Sequence, residues 1–114
     1  MSTLLDNLRR QCGGPRDGAL LRYSLGSALL DAGDAAGAVA AIERALEFDP
    51  GYSAAWKLLG KAHLAAGTPM AAAQAWRRGV VAAAERGDKQ AEKEMTVFLR
   101  RLEKSPAPGG AAQP

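Results

Sequence analysis

His63 is the one histidine of this chain and Cys12 its one cysteine. Between them they exhaust the side chains that most often carry nucleophilic or metal chemistry near neutral pH. One of each is too few to close a metal site, which needs three or four such ligands. No nucleophile–base pair can be assembled around either of them. Glu43, Glu47, Glu92, Glu94 and Glu103 fall on helix faces that read as polar, where a solvated carboxylate is the ordinary role. The glycines punctuate helices and build no phosphate-cradling loop between a strand and a helix. The chain therefore reads as a non-enzyme with no catalytic residue, no cofactor and no metal. His63 is expected to be a packed residue on the inward side of a helix. Cys12 is either an exposed thiol before Gly13-Gly14-Pro15 or a small apolar residue. Being single, it forms no internal disulfide and fits a reducing compartment.

The elements that would position these groups are helical. Hydrophobic residues make up 47% of the 114 but aromatics only 5%, and about a fifth of the chain is Ala, the strongest helix former. The β-branched residues that supply strands are scarce. Fifteen basic and twelve acidic residues leave a formal charge of +3, without a Lys/Arg tract or a basic stripe interleaved with aromatics. Nucleic acid is thus not the partner to expect. The N-terminus lacks a signal-peptide pattern, and no apolar run approaches the ~18 residues of a membrane span. A cytoplasmic protein without membrane contact is expected.

Helix boundaries are well marked. Asp17-Gly18 opens a helix that carries apolar Leu20, Leu21, Leu25, Ala28 and Leu29 as far as Ala32. Gly33 stops it and Asp34 caps the next, whose apolar face is Ala38, Ile42, Ala45 and Leu46. Asp49-Pro50-Gly51 ends that helix. Ser53 is expected to cap a helix through Ala66, and Thr68-Pro69 to open another. This last helix should run to Arg86, because Ala84 stands where the previous copy has Pro50. It is therefore about one turn longer than its counterpart. Residues 88–104 form a final amphipathic helix, and 105–114 read as a disordered Pro/Gly/Ala tail.

The chain also repeats itself. Leu25-Gly26 returns as Leu59-Gly60, Ala32-Gly33 as Ala66-Gly67, Ala38 as Ala72, and Ile42 as Trp76, a period of about 34 residues. Stepping back one period aligns Leu8 with Ile42 and Trp76, and Leu4 with Ala38 and Ala72. Residues 3–12 then read as a half-repeat that caps the array, or else as a loose arm. The organisation expected is one domain over 1–104: half-repeat 3–12, repeats 18–50 and 53–86, and capping helix 88–104.

These residues resemble the tetratricopeptide repeat (TPR) family. At the positions of its pattern the second copy has Trp56, Leu59-Gly60, His63 where the family has Tyr, Ala72, Trp76, Gly79, and Ala84 where the family has Pro. The first copy answers with Arg22, Leu25-Gly26, Leu29, Ala38, Ile42, Ala45 and Pro50. The resemblance implies an all-α right-handed solenoid of antiparallel hairpins, about six helices in all. It also implies a protein-interaction module whose concave groove is lined by the first helix of each hairpin. Carried over by position, the groove residues are Tyr23, Ser27 and Leu30, then Lys57, Lys61 and Leu64. In the last helix they are Lys93, Val97 and Arg100, once the register is shifted by two residues so that Met95, Leu99 and Leu102 are buried together. Without the shift Ala91, Met95 and Phe98 would face the groove. The shifted register suits an acidic peptide with an apolar anchor, although ordinary solvated lysines are the plain alternative. The carboxylate clamp of the chaperone-binding subclass is absent, its positions being Tyr23, Ser27, Leu58, Gln90 and Glu94. Two other functions stay open. One is self-association through exposed Trp56 or Trp76 edges, as a monomer in weak equilibrium with a homodimer; the other is a nucleic-acid-associated accessory.

Overall fold

The computed structural model describes residues 3–104, and these form six α-helices with no strand among them. They are α1 (Leu4–Gln11), α2 (Ala19–Asp31), α3 (Ala35–Phe48), α4 (Ser53–Ala65), α5 (Pro69–Arg86) and α6 (Lys89–Lys104). The segment 105–114, read from the sequence as a tail, lies outside the described residues. Each helix packs against the next in the chain. In addition α2 touches α4 and α4 touches α6, while α3 and α5 stay apart. The helices therefore make a slab of 53 × 34 × 18 Å, with α2, α4 and α6 side by side along one face and the intervening helices along the other.

The hairpin turns are set by glycine. Gly33 and Gly67, one period apart, adopt φ of +87° and +82°, a region that a residue bearing a Cβ enters only with strain. The reversal lets the Asp34 amide donate to the Leu29 carbonyl and the Thr68 amide to the His63 carbonyl, each at 2.9 Å. Those bonds satisfy carbonyls that a helix end leaves open. Asp34 then caps α3 by accepting from the Gly37 amide at 2.8 Å.

Two expected caps work differently. Ser53 is the first residue of α4 rather than its cap, which is Tyr52, and its buried hydroxyl donates to Asp88 at 2.7 Å. Thr68 does precede α5, but its side chain caps nothing there. It donates instead to the His63 carbonyl at 2.9 Å. His63 is likewise not a packed interior residue: it is half-buried near the end of α4, with Nδ1 3.2 Å from the Thr68 hydroxyl.

Inside each hairpin a glycine meets a large side chain. A Cβ on Gly26 would lie 2.4 Å from Ile42 Cγ1, and one on Gly60 2.1 Å from the indole nitrogen of Trp76. Ala38, Ala45 and Ala72 are fully buried beside them, with Leu25 and Leu59. Small residues at these points let the helix axes approach, and the neighbouring large ones fill the space that remains. At the N-terminus Thr3 and Asp6 form a capping box, and α1 packs on α2 through Leu8, with Leu5 partly buried. Leu4 departs from its expected equivalence with Ala38 and Ala72. It is 67% exposed, because it opens the helix on the side turned away from α2.

α5 has 18 residues against 14 in α3. The added turn carries Arg86 back over the preceding loop, where its guanidinium donates both ways to the Asp49 carboxylate at 2.9 and 3.0 Å. Asp88, just beyond, accepts from Ser53 and from the Ala91 amide at 3.1 Å, so one carboxylate ties down α4 and caps α6.

Candidate peptide-binding face

The face formed by α2, α4 and α6 carries most of the side chains singled out from the sequence. At its α2 end Tyr23 lies against Tyr52 with ring centroids 5.2 Å apart; burial raises the Tyr52 hydroxyl above its ordinary value. Ser27 and Leu30, one and two turns further on, are half-buried. On α4, Lys57 and Lys61 project towards α6. Lys57 Nζ forms an ion pair with Glu94 Oε1 at 2.7 Å, and Lys61 Nζ stands 5.4 Å from the centroid of the Phe98 ring, within cation–π range.

The residues of α6 that meet α4 are thus Glu94 and Phe98, one turn apart. Neither belongs to the set on the shifted register, although Phe98 belongs to the one without the shift. Lys93, Val97 and Arg100 are exposed on α6 and meet neither lysine. Met95 is fully buried, with Leu99 and Leu102 packed around it. Glu94, expected to be an ordinary solvated carboxylate, is instead engaged across the helix boundary. Its partner is 37 residues away, so no local pattern announces the pair.

Beyond Lys61 the face opens into a cleft of about 320 Å³ between the C-terminal halves of α4 and α6. Leu64, Trp76, Phe98 and Leu102 line it, and Lys61 and Arg101 border it. Trp76 forms the floor. It is 2% exposed, its indole N–H donates to the Lys57 carbonyl at 3.1 Å, and its ring lies 5.2 Å from that of Phe98. Leu64 stands on the rim with 41% of its surface exposed. The cleft combines rigid aromatic walls, a wet apolar rim residue and positive charge, the features that hold one apolar side chain next to an anion.

A tetratricopeptide repeat family model matches residues 19–62. A TPR repeat-containing protein of Pseudomonas aeruginosa is 53% identical over 102 residues, which is 90% of this chain and 97% of the relative. The chain belongs to the tetratricopeptide repeat family. The solution structure of a protein from Bordetella parapertussis has the same fold, with a TM-score of 0.79 and 40% identity over 91% of this chain and 90% of that one. Tetratricopeptide repeats generally mediate protein–protein interactions, and proteins of the family are generally non-enzymatic.

Within this tetratricopeptide array, the indole edges that self-association would use are not both available. Trp76 is buried and bonded, and only Trp56 is part-exposed. Cys12 is half-buried, its thiol 3.5 Å from the Leu8 carbonyl. No group of three or more metal-ligating side chains occurs among the described residues, and none of the described helices is long and apolar enough to cross a membrane.

Proposed function

We propose that this protein is a non-catalytic interaction module, an adaptor or assembly factor, that grips a short segment of a partner protein on the face of α2, α4 and α6. The observation that carries this reading is the cleft beside Lys61, with Leu64, Trp76, Phe98 and Leu102 around it. Its occupant is an apolar side chain followed or preceded by a carboxylate, which Lys61 receives. The preference for acid is local to this end of the face. Lys57 is already compensated by Glu94 at 2.7 Å, and a peptide reaching Lys57 has to compete with that carboxylate. Lys93, Val97 and Arg100, on the outer side of α6, extend the surface for a partner longer than the cleft. Tyr23, Ser27 and Leu30 extend it in the opposite direction.

Affinity capture tests the reading. Wild-type protein is compared with a Lys61→Glu, Leu64→Arg variant, both changes being at the surface and harmless to the core. Partners retained by wild type and lost by the variant support the cleft as the binding site. An identical set of partners removes it.

A further inference from the structure

Trp56 occupies a second concavity, on the opposite face of the slab. Its indole N–H donates to the Pro50 carbonyl at 2.8 Å, and its Cβ lies 2.7 Å from where a side chain on Gly79 would begin. The ring is therefore held in place, half-buried, on the floor between α3 and α5, the two helices that do not touch. Three adjoining hollows of about 450, 430 and 270 Å³ run along this gap, and all three share Trp56 and Arg78. They form a single trough. Leu59 continues its floor.

Along most of their length the walls carry opposite charges. Glu43 and Glu47 stand on the α3 side, Arg77 and Arg78 on the α5 side, with Glu85 at the far end of the α5 wall. These walls do not neutralise each other. Glu47 pairs with Arg44 on its own helix, and Arg77 reaches Glu103 on α6 only at 3.7 Å, with both side chains largely exposed. No ion pair engages Glu43 or Arg78 among the described residues. Where this fold does close a gap with charge, as Arg86 does on Asp49, the bond is bidentate and short. Between α3 and α5 the gap stays open over an apolar floor.

We propose that this trough is a docking surface for an amphipathic helix of a partner protein, separate from the cleft beside Lys61. The apolar stripe of that helix lies on Trp56 and Leu59. One of its edges is basic and meets Glu43 and Glu47; the other is acidic and meets Arg77 and Arg78. A helix presents one stripe between two flanking edges, whereas a strand shows a single row on each face. From Ala71 to Glu85, the stretch of α5 that borders the trough, the distance is ~21 Å at 1.5 Å per residue, or about four helical turns. With both faces used, the module joins two different protein segments.

Three synthetic helical peptides of ~15 residues test the proposal. All share one leucine stripe; the first has one Lys edge and one Glu edge, the second two Lys edges, the third two Glu edges. Only the first can match both walls, in the one direction that sets its Lys edge against α3 and its Glu edge against α5. It should bind wild-type protein about tenfold more tightly than either uniform peptide, since two edges are matched in place of one. In amide-resolved NMR it should shift the Trp56 indole and the amides of α3 and α5. A Glu43→Arg, Glu47→Arg variant has two basic walls and should prefer the Glu-edged peptide. An Arg77→Glu, Arg78→Glu variant has two acidic walls and should prefer the Lys-edged one. Equal affinity of the three peptides for wild type, no saturable binding of any, or shifts confined to Lys61, Leu64 and Phe98 would each overturn the proposal.

Discussion

Adding one methyl group at Gly60 puts a Cβ 2.1 Å from Trp76 Nε1 and 2.2 Å from Cε2, well inside the ~3.5 Å of an ordinary carbon contact. Two effects oppose each other. Gly→Ala within a helix gains roughly 0.5–1 kcal/mol of backbone entropy, whereas overpacking a close-packed interior costs about 1–3 kcal/mol. Which one prevails depends on whether the indole can move. It is 2% exposed, donates to the Lys57 carbonyl and rests against Phe98, so shifting it breaks a buried hydrogen bond as well as a ring contact. Gly60→Ala should therefore lose about 1–2 kcal/mol net, roughly 5–9 °C in Tm for a domain of this size. Gly26→Ala is the parallel case. Its closest neighbour is Cγ1 of Ile42 at 2.4 Å, on a β-branched, fully buried side chain that is stiff at χ1, so it should lose a similar amount. Introducing Gly60→Ala into a Trp76→Leu background should be neutral or stabilising, because the clash is gone and the helix gain remains. Urea unfolding followed by circular dichroism measures all four variants. Gly60→Ala at or above wild-type stability, or equally damaging with and without the indole, refutes the account of how the hairpin packs.

Further outcomes follow from the ends and the carboxylates. Leu8→Asp should lower stability by on the order of 2 kcal/mol, since it buries a charge against α2, while Leu4→Asp should change it little; equal thermal shifts for the two would mean that α1 does not dock as described. Asp17 accepts from the Arg22 guanidinium and the Gly13 amide, which hold its carboxyl well below the ordinary range, and Arg86 and Ser53 lower Asp49 and Asp88 in the same direction. A lowered native value means that the stabilisation is complete above the unfolded-chain value of about 3.9 and is lost as pH falls below it. Melting temperature should thus hold from pH 7 to pH 5 and drop below pH 4, and Asp17→Asn should lower the plateau and flatten the acid limb. An acid limb unchanged in Asp17→Asn would show that the Arg22 pair contributes nothing.

Much of the fold is legible in the chain because its signals are local. The 34-residue recurrence, the stops at Gly33 and Gly67, and Ala84 in place of Pro50 place the helices and lengthen α5 with no reference to packing. What local pattern does not carry is what joins residues across repeats. Ser53 has the chemistry of a helix cap, but its partner Asp88 lies 35 residues on, in the connection that the extra turn of α5 displaces. Lys57 reads as an open groove cation until α6 brings Glu94 beside it from 37 residues away. Phe98, which faces the groove only on the unshifted register, lies with its ring against both Lys61 and Trp76. Leu4 aligns with buried alanines by period alone, but a helix of 8 residues buries only the side that its one neighbour covers.

The proposal that the cleft between α4 and α6 receives an apolar side chain next to a carboxylate is tested by selection from a random displayed peptide library, with no partner chosen in advance. Immobilised wild-type protein should enrich peptides that carry Asp or Glu within a few residues of a Leu- or Phe-like side chain. The Lys61→Glu, Leu64→Arg variant, carried through the same rounds, should not enrich them. Enriched sequences without that pairing, or the same sequences from both proteins, would contradict it.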